Sequence, residues 1–148
     1  MADRNDPSGA FRFEVEIDGI NVGSFSEVRG LEAEIEVEVY REGGSNFDHV
    51  LKKREKYPPL VLRRGFTNNS ELWNWYSDFL QGKNKAALGK TGSIILLDPI
   101  GAETCRWNFF GAYPIRWTGP NLNANSSEIA IESVEIVHRG LKQQITKR

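Results

Sequence analysis

The chain is poor in the groups that usually carry chemistry. Its 148 residues include one cysteine, Cys105, and two histidines, His49 and His138. A single thiol excludes an intrachain disulfide and leaves too few soft ligands for a structural zinc site. Neither histidine stands at a metal-ligand spacing. No apolar run approaches the roughly 20 residues that span a bilayer. The opening MADRNDPSGA lacks the apolar core of a signal peptide. The expectation is cytoplasmic synthesis with no membrane anchor, any later export being by another route. The net charge of −1 predicts no general attraction to nucleic acid or anionic membranes. G-x-S-x-G, Walker and G-x-G-x-x-G patterns are missing. These absences point to a protein that is not an enzyme, with no metal and no cofactor.

What is present is ordinary in amount but uneven in placement. Hydrophobic residues make up 39% and charged residues 26%, enough to bury the core of one domain spanning 1–148. Residues 1–40 hold ten acids and three bases, a net of −7; residues 41–64 hold seven bases and three acids, a net of +4. These halves could pair within one fold or between copies.

The acidic half ends in GLEAEIEVEVYREGG (Gly30–Gly44). Glu32, Glu34, Glu36 and Glu38 alternate with Ala33, Ile35, Val37 and Val39. In a strand, same-side neighbours lie about 7 Å apart, so the glutamates repel one another and need water or facing cations. The glutamate side is therefore wet or paired, and the other side is expected to be core. The glutamates are either an ordinary solvated face or a charged wall with a function.

Other stretches read as strands and turns. FRFEVEID (Phe11–Asp18) alternates strictly and ends at Gly19. SFSEVRGLEAEIEVEVY is a long strand bent or bulged at Gly30. Residues 41–59 show no sustained period and read as a long loop with a basic cluster, Lys52, Lys53, Arg54 and Lys56. It is either a solvated loop or an arm that docks on a partner. LVLRRG is a short strand. NNSELWNWYSDFLQG is the one clear helix, capped by Asn68 or Ser70, with Leu72, Trp75, Tyr76 and Phe79 as its apolar stripe and Gly82 at its C-terminal end. GSIILLDPIG is a more fully apolar strand. Pro114 makes the second half of the next strand an edge or a bulge. In SSEIAIESVEIVHR the alternation slips at Ser133, which suggests a β-bulge there. The tail 142–148 carries no clear signal. Trp73, Trp75 and Trp107 read as buried, and Trp117 as the best candidate for an exposed ring. The sum is a mainly β protein: a sandwich or partly open barrel of about seven strands with one flanking α-helix.

A set of ordered motifs then becomes informative. FRFEVEIDGINVGSFSEVRGLE, VEVYREGG, YPPLVLRRGFTNNSELWNWYSDFLQGK, IILLDPIG, WNFFGAYPIRWTGPNLNANSSEIAIESVEI and HRGL together resemble the tail tube proteins of contractile phage tails. The branch they resemble most is that of extracellular contractile injection systems of the antifeeding-prophage type. The likeness covers residues 10–141 and departs from the family pattern at Arg29. It implies a structural subunit: six copies form a ring, their strands completing a shared β-barrel, and rings stack into a hollow tube. The implied partners are a sheath, baseplate and tube-capping proteins, and a cargo protein or DNA in the lumen, without specific nucleic-acid recognition. The tube would work within a phage tail or a released tail-like particle.

On this footing Glu32, Glu34, Glu36 and Glu38 are expected to face the lumen. The inter-ring segment 41–59, through Arg41, Lys52, Lys53, Arg54 and Lys56, is expected to stack rings. Residues 1–9 are expected to be a flexible N-terminus. A tube-initiating baseplate paralogue and a type VI secretion tube-like protein are the neighbouring readings. A small β-barrel binding a ligand through Trp107 or Trp117 is the alternative of another class.

Overall fold

The alternation in Arg12–Ile17 becomes strand β1, with Val15 and Ile17 buried. The computed structural model describes residues 12–44, 46–82, 89–125 and 127–146; the expected N-terminus 1–9 and Phe11 lie outside them. β1 turns into β2 (Ile20–Phe25) through Asp18 and Gly19, both at positive φ (54° and 77°). That pair of angles is the two-residue hairpin turn that matches strand twist.

The chain runs on through β3 (Glu27–Arg29) to Gly30, at φ 91°. A Cβ at Gly30 would collide with the backbone carbonyl of Pro59, so only glycine lets the two segments cross this closely. Here the long predicted strand breaks. Its second part, β4 (Glu34–Tyr40), leaves the main sheet and pairs only with β5 (His49–Lys56). Segment 41–59 is thus not a loop throughout: its residues His49–Lys56 are strand. Its run of charges hid the period, because charged side chains face out on both sides.

β6 (Leu60–Gly65) returns to the sheet, and α1 (Glu71–Leu80) follows. The cap differs in detail from expectation: Asn69 Oδ1 accepts from Glu71 N at 2.8 Å, while Ser70 makes no side-chain cap bond. Gly82, at φ 70°, closes the other end by donating to Phe79 O. Leu72 and Trp75 are buried against the sheet.

β7 (Lys90–Leu97) is almost entirely buried, as its apolar run implies. β8 (Glu103–Thr118) is 16 residues long. Its first half pairs with β7 and β10 (Gly140–Ile145), its second half with β9 (Ile131–Val137). Part of the signal-less tail 142–148 is therefore strand, through Ile145. The sheet runs β2-β1-β7-β8-β9-β6-β3, with β10 added beside β8. Because β3 continues from β2, the two ends of this path come together, and the sheet curls around one core. Val15, Leu60, Leu62, Phe109, Val134, Ile136, Leu72 and Trp75 belong to that single cluster. The mainly β, one-helix architecture stands as read; the strands number ten among the described residues, not about seven.

The apparent slip at Ser133 has another cause. β9 is regular: Glu132, Val134 and Ile136 are buried in phase, and Ile131 faces out. The bulge lies on the partner strand, between Pro114 and Arg116, where Pro114 cannot donate to a ladder. What looked like a slip is a buried charge. Glu132 accepts from Arg64 Nε at 2.7 Å and from Trp117 Nε1 at 3.1 Å. Arg64 in turn donates to Val22 O on β2 and Asn69 O before α1. One buried ion pair therefore ties both ends of the sheet and the helix start together.

Candidate assembly site

β4 and β5 form a two-stranded arm outside the main sheet. Their register is Glu34↔Lys56, Ile35↔Glu55, Val37↔Lys52, Val39↔Val50 and Tyr40↔His49, with an irregularity between Ile35 and Val37. Across it, two residues of β5, Lys53 and Arg54, oppose Glu36. In a regular strand these two cations would point to opposite faces. The bulge turns both toward the glutamates. Arg54 Nε reaches Glu36 at 2.9 Å, Lys56 Nζ reaches Glu36 at 3.9 Å, and Lys53 Nζ reaches Glu38 at 3.8 Å. On the other face Lys52 Nζ meets Glu55 at 3.6 Å. Near the tip Arg41 Nε donates to Asp48 at 2.6 Å, and the His49 ring stacks on Tyr40.

Of the residues singled out from the sequence, Glu34, Glu36 and Glu38 and the cations Lys52, Lys53, Arg54 and Lys56 are brought onto one strand pair, with Glu32 just before it and Arg41 at its tip. Glu36 and Glu38 are paired with cations; Glu32 and Glu34 have no ion-pair partner among the described residues. The Arg54 hydrogen bond, with Lys56 beside it, holds the Glu36 carboxyl below its ordinary 4.5. Donation from the Tyr57 hydroxyl (2.6 Å), helped by Lys52, does the same for Glu55. Over Glu34–Lys56 six acids stand against five Lys and Arg, a net of −1. The arm has strong local charge and almost no net charge.

The face opposite the glutamates is not core. Ile35 is 52% exposed, Val37 49% and Val39 57%, with Val50 at 66% across from Val39. The expectation failed because β4 leaves the sheet at Gly30, so no second layer covers it. This apolar face is the feature sequence reasoning missed. Alternating Ile35, Val37 and Val39 was the available signal, but its meaning depended on recognising β5 as partner. A lone two-stranded hairpin is marginal in water, and an aligned row of exposed Val and Ile marks a contact surface.

At its root the arm is fastened. Gly30 lies on Pro59, and the Tyr57 ring packs on His138 with centroids 5.1 Å apart. Pro58 and Pro59, between β5 and β6, carry no N–H to donate to a ladder.

The aromatics sort differently from expectation. Trp75 is buried, and Trp107 donates Nε1 to Gln143. Trp117, expected to be exposed, is partly covered and bonded to Glu132, because Trp73 packs edge-on against it at 4.9 Å. Trp73 is the more exposed ring, at 43%. A cleft of about 280 Å³ between Phe66, Trp73 and Trp117 opens at the helix start. Among the described residues no cluster of His, Cys, Asp or Glu is placed to hold a metal, and no helix is long and apolar enough to cross a membrane.

A curled β-sheet with one helix that sends out an apolar-faced strand pair is the build of an assembly subunit. The chain belongs to the T4-like virus tail tube protein gp19 family, whose sequence profile matches residues 9–142. It is a structural protein of tail-tube type. Solved structures share the fold. A chain of the PVC sheath–tube complex of an extracellular contractile injection system, in its extended state, is 24% identical, with 96% of this chain and 94% of that one covered and a TM-score of 0.80. A chain of the anti-feeding prophage tube-terminating cap is 22% identical, at 99% and 96% coverage and TM-score 0.81. A chain of the six-fold symmetrised anti-feeding prophage baseplate is 24% identical, at 99% and 100% coverage and TM-score 0.76. No protein of curated function matches the sequence.

Proposed function

We propose that this chain builds the inner tube of a contractile tail-like particle. Six copies close into a ring, each ring completing a shared β-barrel, and rings stack around a lumen that carries cargo protein or DNA. A sheath surrounds the tube, and baseplate and cap proteins bound its ends. The observation that carries the assembly step is the arm: Ile35, Val37, Val39 and Val50 stay exposed on it among the described residues, and a sister copy supplies their cover. Heterologous contact of this kind closes into rings and continues into stacks.

The arm's ion pairs reshape the role of Arg41, Lys52, Lys53, Arg54 and Lys56 in stacking. Lys53, Arg54 and Lys56 hold β5 against Glu36 and Glu38 of β4, Arg41 ties the tip to Asp48, and the Lys52–Glu55 pair lies on the same face as Ile35, Val37 and Val39. Glu32 and Glu34, without ion-pair partners among the described residues, remain the glutamates best suited to a lumen wall that repels acidic cargo.

The test is assembly of the purified full chain, followed by negative-stain microscopy. Tubes with six-fold end views are expected. Val37→Glu with Val39→Glu is expected to leave a folded chain, by circular dichroism, that no longer forms them. A wild-type chain that stays monomeric at high concentration overturns the reading; normal tubes from the double variant overturn the role of the arm. A subunit of an end structure is the second reading, favoured by the likeness to cap and baseplate chains. Copy number per particle separates the two.

A further inference from the structure

Tyr57, at the root of the arm, packs its ring against His138 of the body. His138 follows β9 and continues its buried phase after Glu132, Val134 and Ile136; it is 8% exposed. Its Nδ1 lies 3.1 Å from Gly140 O, a contact suited to donation from the ring. Its Nε2 is buried and has no hydrogen-bond partner. The ring is sandwiched between Tyr57, at 5.1 Å, and Phe109, at 6.3 Å. Tyr57 is the residue that ends the arm, one before Pro58-Pro59.

We propose that His138 is a proton-sensitive latch on the arm. The neutral ring accepts burial: one nitrogen is satisfied by Gly140 O, and the other carries a lone pair that tolerates an apolar wall. The imidazolium form has two N–H groups, and the second would be a buried donor with nothing to donate to. Opening the Tyr57 contact lets water reach it. Protonation therefore favours the state in which Tyr57 has lifted and the arm pivots at Gly30 and Pro59.

The surroundings give no competing partner. From the arm root the facing titratable group is Tyr57, with Glu55 held on the far side of its hydroxyl. β8 presents only the uncharged Phe109 ring, and β10 the neutral Gly140 carbonyl. No carboxylate among the described residues makes an ion pair with the His138 ring. Consistent with this, burial pushes the imidazole below its ordinary 6.5. A base whose folded-state value is depressed binds fewer protons folded than open, so closure weakens as pH falls below about 6.5. The glutamates of the arm do not share this range. Glu36 and Glu55 stay ionised to below 4.5, so their pairs persist while the latch lets go.

The inference concerns the single chain and stands apart from ring formation, so its test needs no tubes. Amide hydrogen exchange of the full chain is followed by mass spectrometry on peptides covering 34–57, corrected for intrinsic rates, at pH 7.5 and pH 5.0. The expected result is a loss of protection on the order of tenfold at pH 5.0, with β7 and β8 unchanged. His138→Phe keeps a ring between Tyr57 and Phe109 and cannot take a proton, so it is expected to remove the response. Tyr57→Ala, which takes away the lid, is expected to show low protection at both pH values. His49→Gln is expected to respond as wild type, since His49 lies within the arm. Equal protection of the wild-type arm at the two pH values overturns the latch. So does an undiminished response in His138→Phe, or loss of the response in His49→Gln. Failure of the chain to form tubes would refute the assembly reading and leave this result untouched.

Discussion

Glu132 and Arg64 show what one misplaced charge can do. Both are more than 95% buried, and between them they link β2, β6, β9, Trp117 and Asn69, two residues before α1. Removing one partner leaves the other charged and unpaired in a dry site. Glu132→Ala is expected to destabilise the fold by about 3–5 kcal/mol, read as a shift in urea midpoint. The double change Arg64→Met with Glu132→Leu is expected to cost much less, because it removes the buried charges together. At Gly30 the argument is steric. Its positive φ disfavours a side chain, and a Cβ would strike the Pro59 carbonyl. Gly30→Ala is expected to lose about 2 kcal/mol or more and to loosen the arm root, which exchange protection over 27–34 would report.

Within the arm, the pairs set a second pH limit, below that of His138. Glu36 and Glu55 have depressed values in the folded chain, so the order they contribute is present above 4.5 and is lost as pH falls through the lowered values. Arm protection in a His138→Phe chain is therefore expected to hold from pH 7.5 to 5 and to drop only below pH 4.5. Reversing Lys52, Lys53, Arg54 and Lys56 to glutamate is expected to separate β5 from β4 while the main sheet survives, since no other strand pairs with the arm. Circular dichroism should show a small loss of strand signal with an unchanged thermal transition. This arm also shows where sequence reading stopped. β4 was legible as a strand from strict alternation. β5 was not, because HVLKKREK places charge on both faces, and a strand exposed on both faces has no hydrophobic period to read.

At the scale of the whole molecule, an arm without cover and a sheet that curls on itself describe a part and not a finished object. Self-association is the expected behaviour of the concentrated chain, and sedimentation or sizing chromatography would report it.

Much of this was written locally. The alternation in β1 placed Val15 and Ile17 inward, the Leu72–Phe79 stripe placed α1, and Gly30 and Pro114 marked where strands bend. Such features depend on neighbours a few residues apart, so the sequence determined them by itself, along with the scarcity of Cys and His that left no metal centre to expect. The tertiary structure alone decided that Glu132 lies inside, that Ile35, Val37 and Val39 lie outside, and that the acidic and basic runs face each other. These are long-range outcomes: whether a side chain is wet depends on which distant segment covers it, and pairing partners 15 residues or more apart leave no periodic trace in the chain.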